Sequence, residues 1–276
     1  DGKVHWLKVY DIPQMSRTSR GRALVNILEI PKGVYITSQI PVRNFDKRQL
    51  VMATQNGIVK KTVLSDYGRP QKGGIKGINL DEDDRLVGVV ITHGNDDVMV
   101  ATRKGNAIRF SEKDLRSQGR ATRGVIGIKL GKEDAVVSIL VPRENNTLLT
   151  VSQKGFGKRT TFDAYKKIKR GGKGVINLKV TEKTGGVVGA MSVIDDDEIM
   201  MMSARGMVVR TEVGDISIIG RNTQGVKLIT LNENDKMVGI ARIQKEDDDT
   251  EEDDGNETEN AVGEASAEEG DESESS

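Results

Sequence analysis

Residues 155–180 read GFGKRTTFDAYKKIKRGGKGVINLKV, and two landmarks within them recur along the chain. The first is a turn glycine followed by apolar and basic residues. It appears as Gly57-Ile-Val-Lys-Lys, Gly105-Asn-Ala-Ile-Arg, Gly155-Phe-Gly-Lys-Arg and Gly206-Met-Val-Val-Arg, at spacings of 48, 50 and 51 residues. The second is a cation-rich loop containing glycine. It appears at Ser19-Arg-Gly-Arg22, Gln71-Lys-Gly-Gly-Ile-Lys-Gly77, Gly119-Arg-Ala-Thr-Arg-Gly124, Lys169-Arg-Gly-Gly-Lys-Gly174 and Gly220-Arg-Asn-Thr-Gln-Gly225. The closing glycines Gly77, Gly124, Gly174 and Gly225 lie 47, 50 and 51 residues apart. Two independent markers on one period define a repeat architecture.

Inside each period the pattern is of strands. An alternating run follows the loop (Ile126-Gly-Ile-Lys-Leu130, Ile176-Asn-Leu-Lys-Val180), then an acidic or glycine-rich turn, then a run such as Leu86-Val-Gly-Val-Val90. A third run (Val98-Met-Val-Ala-Thr102, Leu148-Leu-Thr-Val-Ser152) meets a tight turn at Asn56-Gly57, Lys104-Gly105, Lys154-Gly155 or Arg205-Gly206 and returns as a fourth. Asn-Gly reads as a hairpin turn with both central residues at positive φ. Four short strands in about 50 residues make a propeller blade, and radial repetition protects the sheet edges. The expectation is an all-β, propeller-like ring of about six four-stranded blades over residues 1–245, the first truncated. Four whole blades and a piece of one at each end fall within these residues. No helix is expected.

Formal charge is zero, but its distribution is uneven. Residues 246–276 hold 16 Asp and Glu and no Lys or Arg, which leaves the first 245 residues with all 42 cations against 26 anions. So dense a single-sign tail with few apolar residues is expected to be disordered. The cationic body carries the footprint of a protein that meets nucleic acid. With no cysteine, disulfides and thiolate chemistry are excluded. No apolar run has the length of a membrane span and no signal peptide is evident, so a soluble, cytoplasmic protein is expected.

Other sites are poorly supplied. Neither glycine-lysine run completes a nucleotide P-loop, because the hydroxyl that would hold magnesium is missing after Gly157-Lys158 and after Gly172-Lys173. His5 and His93 are the only histidines; they read as surface or turn residues, and a two-histidine metal site is not indicated. The acidic clusters Asp81–Asp84 and Asp195–Glu198 read as solvated turns, Met200–Met202 as core, and Trp6 as packing between blades. Aromatic residues make up 3% of the chain, too few for serial base stacking.

The basic loops remain. In a ring, equivalent loops fall at equivalent radii and form a belt, where Arg and Lys neutralise phosphates and glycine admits the backbone close to them. Arg20, Arg22, Lys72, Lys76, Arg120, Arg123, Lys169, Arg170, Lys173, Arg221 and Lys227 are expected to contact the backbone of double-stranded DNA. Gly77, Gly124, Gly174 and Gly225 are expected to shape the loops. A duplex following such a belt would be bent, with specificity arising only from its deformability.

Four strings carry a family resemblance: Gly2-Lys-Val-His-Trp-Leu-Lys-Val-Tyr10, Gly57-Ile-Val-Lys-Lys-Thr62, Gly155-Phe-Gly-Lys-Arg-Thr160 and Ile219-Gly-Arg-Asn-Thr-Gln-Gly-Val226. Over residues 1–245 the chain resembles the C-terminal domain of bacterial DNA gyrase A subunits. The resemblance implies a β-pinwheel whose blades exchange strands and whose basic rim wraps DNA, enabling ATP-driven negative supercoiling by the whole enzyme. It places the cleaving tyrosine in the preceding part of the gyrase A chain, and the ATPase site in the B subunit. The chain would then have no catalytic residue, metal or cofactor of its own. Its partners through upstream regions would be the B subunit together with a second A subunit, while ATP and magnesium are used elsewhere in the assembly. The family's heptapeptide box, Gln-basic-Arg-Gly-Gly-basic-Gly, is expected upstream of Asp1. Ile168–Gly174 matches it at six of seven positions, with isoleucine in place of glutamine, and Gln71–Gly77 keeps the glutamine but not the Arg-Gly-Gly order. The corresponding domain of topoisomerase IV, or a propeller scaffold for acidic protein partners, are the rival readings.

Overall fold

The computed structural model describes residues 1–16, 18–28, 30–31 and 33–243. The segment 246–276, for which disorder is expected, lies outside the described residues.

One repeat shows how the rest is built. The strand Asp97–Thr102 turns at Gly105 into Asn106–Ser111, with Val98 opposite Phe110 and Val100 opposite Ile108. Val98, Met99, Val100 and Ala101 are all fully buried, because both faces of the strand are covered by neighbouring sheets. That explains a run of apolar residues where a half-exposed strand would alternate. The chain then passes through a 3-10 turn at Glu112–Asp114 and the basic loop. It returns as Val136–Leu140, which pairs with the other side of Asp97–Thr102.

Between those two events the chain makes a detour. The two-residue strand Val125–Ile126 pairs with Ile58–Val63 of the preceding repeat, Ile58 opposite Ile126. Val175–Ile176 does the same for Asn106–Ser111, and Val226–Lys227 for Phe156–Thr161. Each complete sheet therefore has three strands of its own and a fourth donated by the next repeat. The first is built on Gln49–Thr54, Ile58–Val63 and Leu86–Thr92, the second on the strands just described, and the third on Thr147–Ser152, Phe156–Thr161 and Val187–Val193.

The core lies between sheets. Val51 and Val59 of the first pack with Val98, Val100 and Ile108 of the second. Met99 and Ala101 pack with Leu148 and Tyr165 of the third, and Leu149 and Val151 with Ile199 and Met201 of the next. The returning strands follow the same succession: Leu86–Thr92 packs on Val136–Leu140, that on Val187–Val193, and that on Met237–Ile243. Each blade buries its faces only against its neighbours, as a radial repeat requires.

The expected count of about six blades is only partly seen. Among the described residues three sheets have four strands; the next, Glu198–Ser203, Val208–Glu212 and Met237–Ile243, has three, and Lys3–Val4 with Ile75–Lys76 makes a two-stranded ladder. One turn of α-helix forms at Val25–Leu28, against the expectation of no helix. The hairpin turns differ too. Asn56 does not adopt positive φ; Gly57 alone does, at 85°, and its N–H closes a turn onto Thr54 O at 3.0 Å. This is a three-residue connection, a turn followed by a left-handed residue. Nor are the acidic turns simply solvated: Asp84 is 7% exposed and Asp197 4%. Asp84 accepts the N–H groups of Asn56 and Arg85, locking the hairpin turn beside it. Asp134 and Asp235 repeat that lock for Lys104 and Arg205.

Candidate nucleic-acid interface

Three of the basic loops are arches with both feet on the hairpin of the preceding repeat. At the entry, the N–H groups of Gln118, Ile168 and Ile219 donate to Lys61, Arg109 and Arg159 O, at 2.8, 2.9 and 2.9 Å. At the exit, Gly127, Asn177 and Leu228 donate to Gly57, Gly105 and Gly155 O, at 2.8, 2.7 and 2.8 Å. The turn glycine is needed in two ways, since a Cβ on Gly57 would lie 2.7 Å from Ile128 O in addition to its positive φ. The exit glycine is equally constrained: a Cβ on Gly124 would lie 2.6 Å from Val59 O.

That geometry corrects one residue. Gly74, with φ 75°, is the counterpart of Gly124, Gly174 and Gly225, since a Cβ there would lie 2.8 Å from Val4 O. Gly77 has no positive φ and stands three residues further on, at the position equivalent to Gly127. The true spacings are 50, 50 and 51 residues, and the 47 came from aligning the wrong glycine.

The arches are joined side by side. The N–H groups of Asn79, Lys129 and Lys179, which follow one arch, donate to the carbonyls of Thr122, Gly172 and Thr223 in the next, at 3.0, 2.9 and 2.9 Å. Arg170 and Arg221 reinforce the joints through Nη1 to Ile126 and Ile176 O, at 3.0 and 3.1 Å. The loops from Gln71 to Gly225 thus form one connected track. Between its first two arches lies an open groove of about 610 Å³, lined by Gln71, Lys76, Arg120 and Thr122 among others.

The residues expected to touch phosphate fall into four groups. Lys72, Lys76, Lys169, Lys173 and Lys227 are exposed along the track. Arg120, Arg170 and Arg221 occupy one equivalent, half-buried position on three arches; Arg170 also donates through Nε to Asp114 O at 3.0 Å. Arg123 is exposed but forked onto both carboxylate oxygens of Asp81, Nε to Oδ1 and Nη2 to Oδ2, and this ion pair holds its guanidinium above its ordinary pKa. Arg20 and Arg22 are exposed on a stretch without regular structure, and among the described residues no ladder joins them to the track.

Two cations on the track escaped sequence reading: Lys129 and Lys179, exposed just past the arches and 50 residues apart. They lie outside the glycine-rich strings, and the shared spacing was the signal that could have found them. Conversely, the basic half of the hairpin marker faces inward in the first three repeats. Lys61 donates to Glu112 O at 2.7 Å, Arg109 to Phe162 O at 3.0 Å and Arg159 to Ile216 O at 2.7 Å, each fastening its hairpin to the next repeat. Those charges are structural.

Ile168 also acquires a reason. It packs into the cluster containing Ile108, and both side chains lie beneath Gly172. In the neighbouring blades the position of Ile108 is held by Lys60 and Lys158. Elsewhere, His93 is an exposed turn residue with Nδ1 3.0 Å from Asp96. His5, against expectation, is half-buried, with its Nε2 enclosed and unpartnered. Trp6 donates through Nε1 to Tyr67 O at 2.8 Å. No group of three or more potential metal ligands occurs among the described residues, and none of their helices is long and apolar enough to cross a membrane.

Comparison with known proteins agrees with this architecture. The family model for the DNA gyrase C-terminal domain, a beta-propeller, matches residues 1–38, 48–93, 96–143, 146–194 and 197–244, one segment per repeat. The DNA gyrase A subunit of Halalkalibacterium halodurans is 53% identical over 91% of this chain and 30% of its own length. Its Escherichia coli K12 counterpart is 44% identical over 88% of the chain and 28% of its own length. The chain thus spans under a third of the length of these relatives. Among solved structures, the C-terminal domain of DNA topoisomerase IV superposes with a TM-score of 0.81 at 26% identity, covering 88% of this chain and 76% of that one. A DNA gyrase A C-terminal domain gives 0.76 at 28% identity, covering 87% and 79%. With five repeats matched in order and donated strands joining successive blades, this chain belongs to the DNA gyrase C-terminal domain family.

Proposed function

We propose that the described unit binds duplex DNA along the joined basic arches and bends it, as the C-terminal module of a gyrase A subunit. In the whole enzyme, with the B subunit plus a second A subunit engaged through other regions, this grip would support ATP-driven negative supercoiling in the bacterial cytoplasm. ATP and magnesium would act elsewhere in that assembly. The observation that carries the reading is the joint between arches, Lys129 N–H to Gly172 O and its equivalents, which turns separate cationic loops into one track. Arg120, Arg170 and Arg221 recur along it at one position per blade. A backbone-reading surface of this kind needs no helix in the major groove.

Binding of the chain to duplex DNA, titrated with salt, tests the reading. Neutralising about six phosphates gives a log-log slope near −5; a slope near zero overturns it. Topology of closed circular DNA bound to the chain then reports the bend through its writhe. The structural match to topoisomerase IV favours a second reading, a module serving decatenation. Supercoiling by the full-length protein separates the two. A scaffold for acidic proteins would lose its partner to an acidic peptide more readily than to plain duplex DNA.

A further inference from the structure

Two lysines lie beneath the arches. Lys60 and Lys158 are 1% and 0% exposed. Lys158 Nζ donates to Gly220 O at 2.6 Å, to Arg221 O, and to Thr223 Oγ1 at 3.2 Å, all within one arch. Lys60 Nζ donates to Arg120 O in its arch and to Gly77 O at 2.5 Å in the repeat before. Neither ammonium has an ion pair among the described residues. Each therefore spends its buried charge on main-chain carbonyls, an arrangement poorly explained by fold stability, since an apolar residue of similar length would avoid the desolvation. The arch over Ile108 is the built-in contrast, resting on Ile108 and Ile168.

On the reading that the arches grip DNA, we propose that Lys60 and Lys158 are positioning residues: their protonated side chains hold Arg120 and Arg221 at the height required to meet the phosphate backbone. The carbonyl that each ammonium binds belongs to the very arginine that recurs along the track. A neutral amine keeps two N–H donors for these carbonyls but loses the positive charge that roughly doubles the strength of each bond, and Lys158 also loses its third donor, so the arch loosens. The charged and titratable neighbours are few. Arg120 and Asp66 lie near Lys60, and the Tyr67 hydroxyl shares its acceptor Gly77 O; Arg221 lies near Lys158. Desolvation first, and then the adjacent arginine, draw each lysine from 10.5 to about 8. The switch thus lies within reach of ordinary buffers. The arch over Ile108 has no such group beneath it and stays fixed.

The test uses the full chain and the double variant K60M/K158M. Without DNA, hydrogen exchange of peptides covering 118–124 and 219–225 should be faster in the variant at pH 7, while 168–174 is unchanged. Binding to a labelled duplex at fixed salt should be about fivefold weaker for each loosened arch, the ordering of roughly one long side chain and its loop. Wild-type affinity should fall by that factor between pH 7 and 9, and the variant should show no such fall. The variant's melting temperature should be unchanged or higher, which a purely structural lysine would not produce. Equal exchange in both proteins, or affinity lost only in step with melting temperature, overturns the proposal. If neither protein binds duplex DNA but the two arches still loosen, the positioning role stands and the DNA reading fails.

Discussion

Arg170 donates through Nη1 to the carbonyl oxygen of Ile126 at 3.0 Å, so a side chain of one arch holds the strand leaving the arch before it. The same guanidinium reaches Asp114 O, also at 3.0 Å. Arg170 is thus part of the scaffold as well as part of the charge, whereas Lys173, three residues on, is exposed. The two should separate cleanly. Lys173→Ala should reduce the salt slope of DNA binding by about one and leave thermal stability alone. Arg170→Ala should weaken DNA binding further and also cost about 1–3 kcal/mol of stability, since two main-chain acceptors lose their partner. Matching stability losses for both variants would show that the joint bears no load.

Asp81 restrains Arg123 by a forked ion pair at the solvent boundary. A phosphate must compete with that carboxylate for the guanidinium, and the carboxylate also repels DNA directly. Asp81→Asn removes both effects without changing side-chain size. The expected result is tighter duplex binding with a salt slope steeper by about one. Because both partners are exposed, stability should barely change. A slope no steeper than the wild type's would show that Arg123 does not meet phosphate.

Glycine substitutions measure what the donated strand contributes. Gly57 and Gly206 occupy the same turn position with nearly the same φ, 85° and 87°. Only Gly57 is crossed by a donated strand; a Cβ on Gly206 would meet nothing within 4 Å. Gly206→Ala should cost about 1 kcal/mol for its left-handed backbone alone. Gly57→Ala should cost roughly 2 kcal/mol more, because either Ile128 moves or the ladder from Ile58 to Ile126 opens. Urea denaturation of the two variants gives the difference directly, and equal costs would contradict strand donation as the source of strain.

Much of this was legible in the sequence for a definite reason. A repeat that buries its sheets against copies of itself must repeat its turns, so Gly57, Gly105, Gly155 and Gly206 marked every hairpin. Strand exchange was not legible from the residues, because Val125–Ile126 reads identically whether it completes its own sheet or a neighbour's. That pairing is fixed by the carbonyls of Gly57 and Val59, far away in sequence. For the same reason Gly77 was mistaken for the exit glycine, and Lys60, Lys61, Lys158 and Arg159 could not be told from rim cations. Their direction is set by what lies across the hairpin, which composition does not record.

The buried lysines also predict the sign of the stability profile. Their ordinary pKa is 10.5 and in the fold it is about 8. Below pH 8 both folded and unfolded chains carry the protons, so the cost of burying the charge is present in full. Between pH 8 and 10.5 the folded chain releases them while the unfolded chain keeps them. The unfolded state then binds more protons, and stability rises with pH. The gain is limited to on the order of 3 kcal/mol for each lysine. Burial acts oppositely on Tyr67 and Tyr165, raising both above the ordinary 10.0. Above pH 10 the unfolded chain ionises first, and stability falls again. Melting temperature should therefore climb from pH 8 to about 10 and then drop. The K60M/K158M variant should lose the climb and keep the drop. Over the same interval the wild type's grip on DNA should weaken, so that the fold tightens while its track loosens. A melting temperature that fell steadily from pH 7 upward would show that these ammonium groups stabilise the folded chain instead of only shaping its arches.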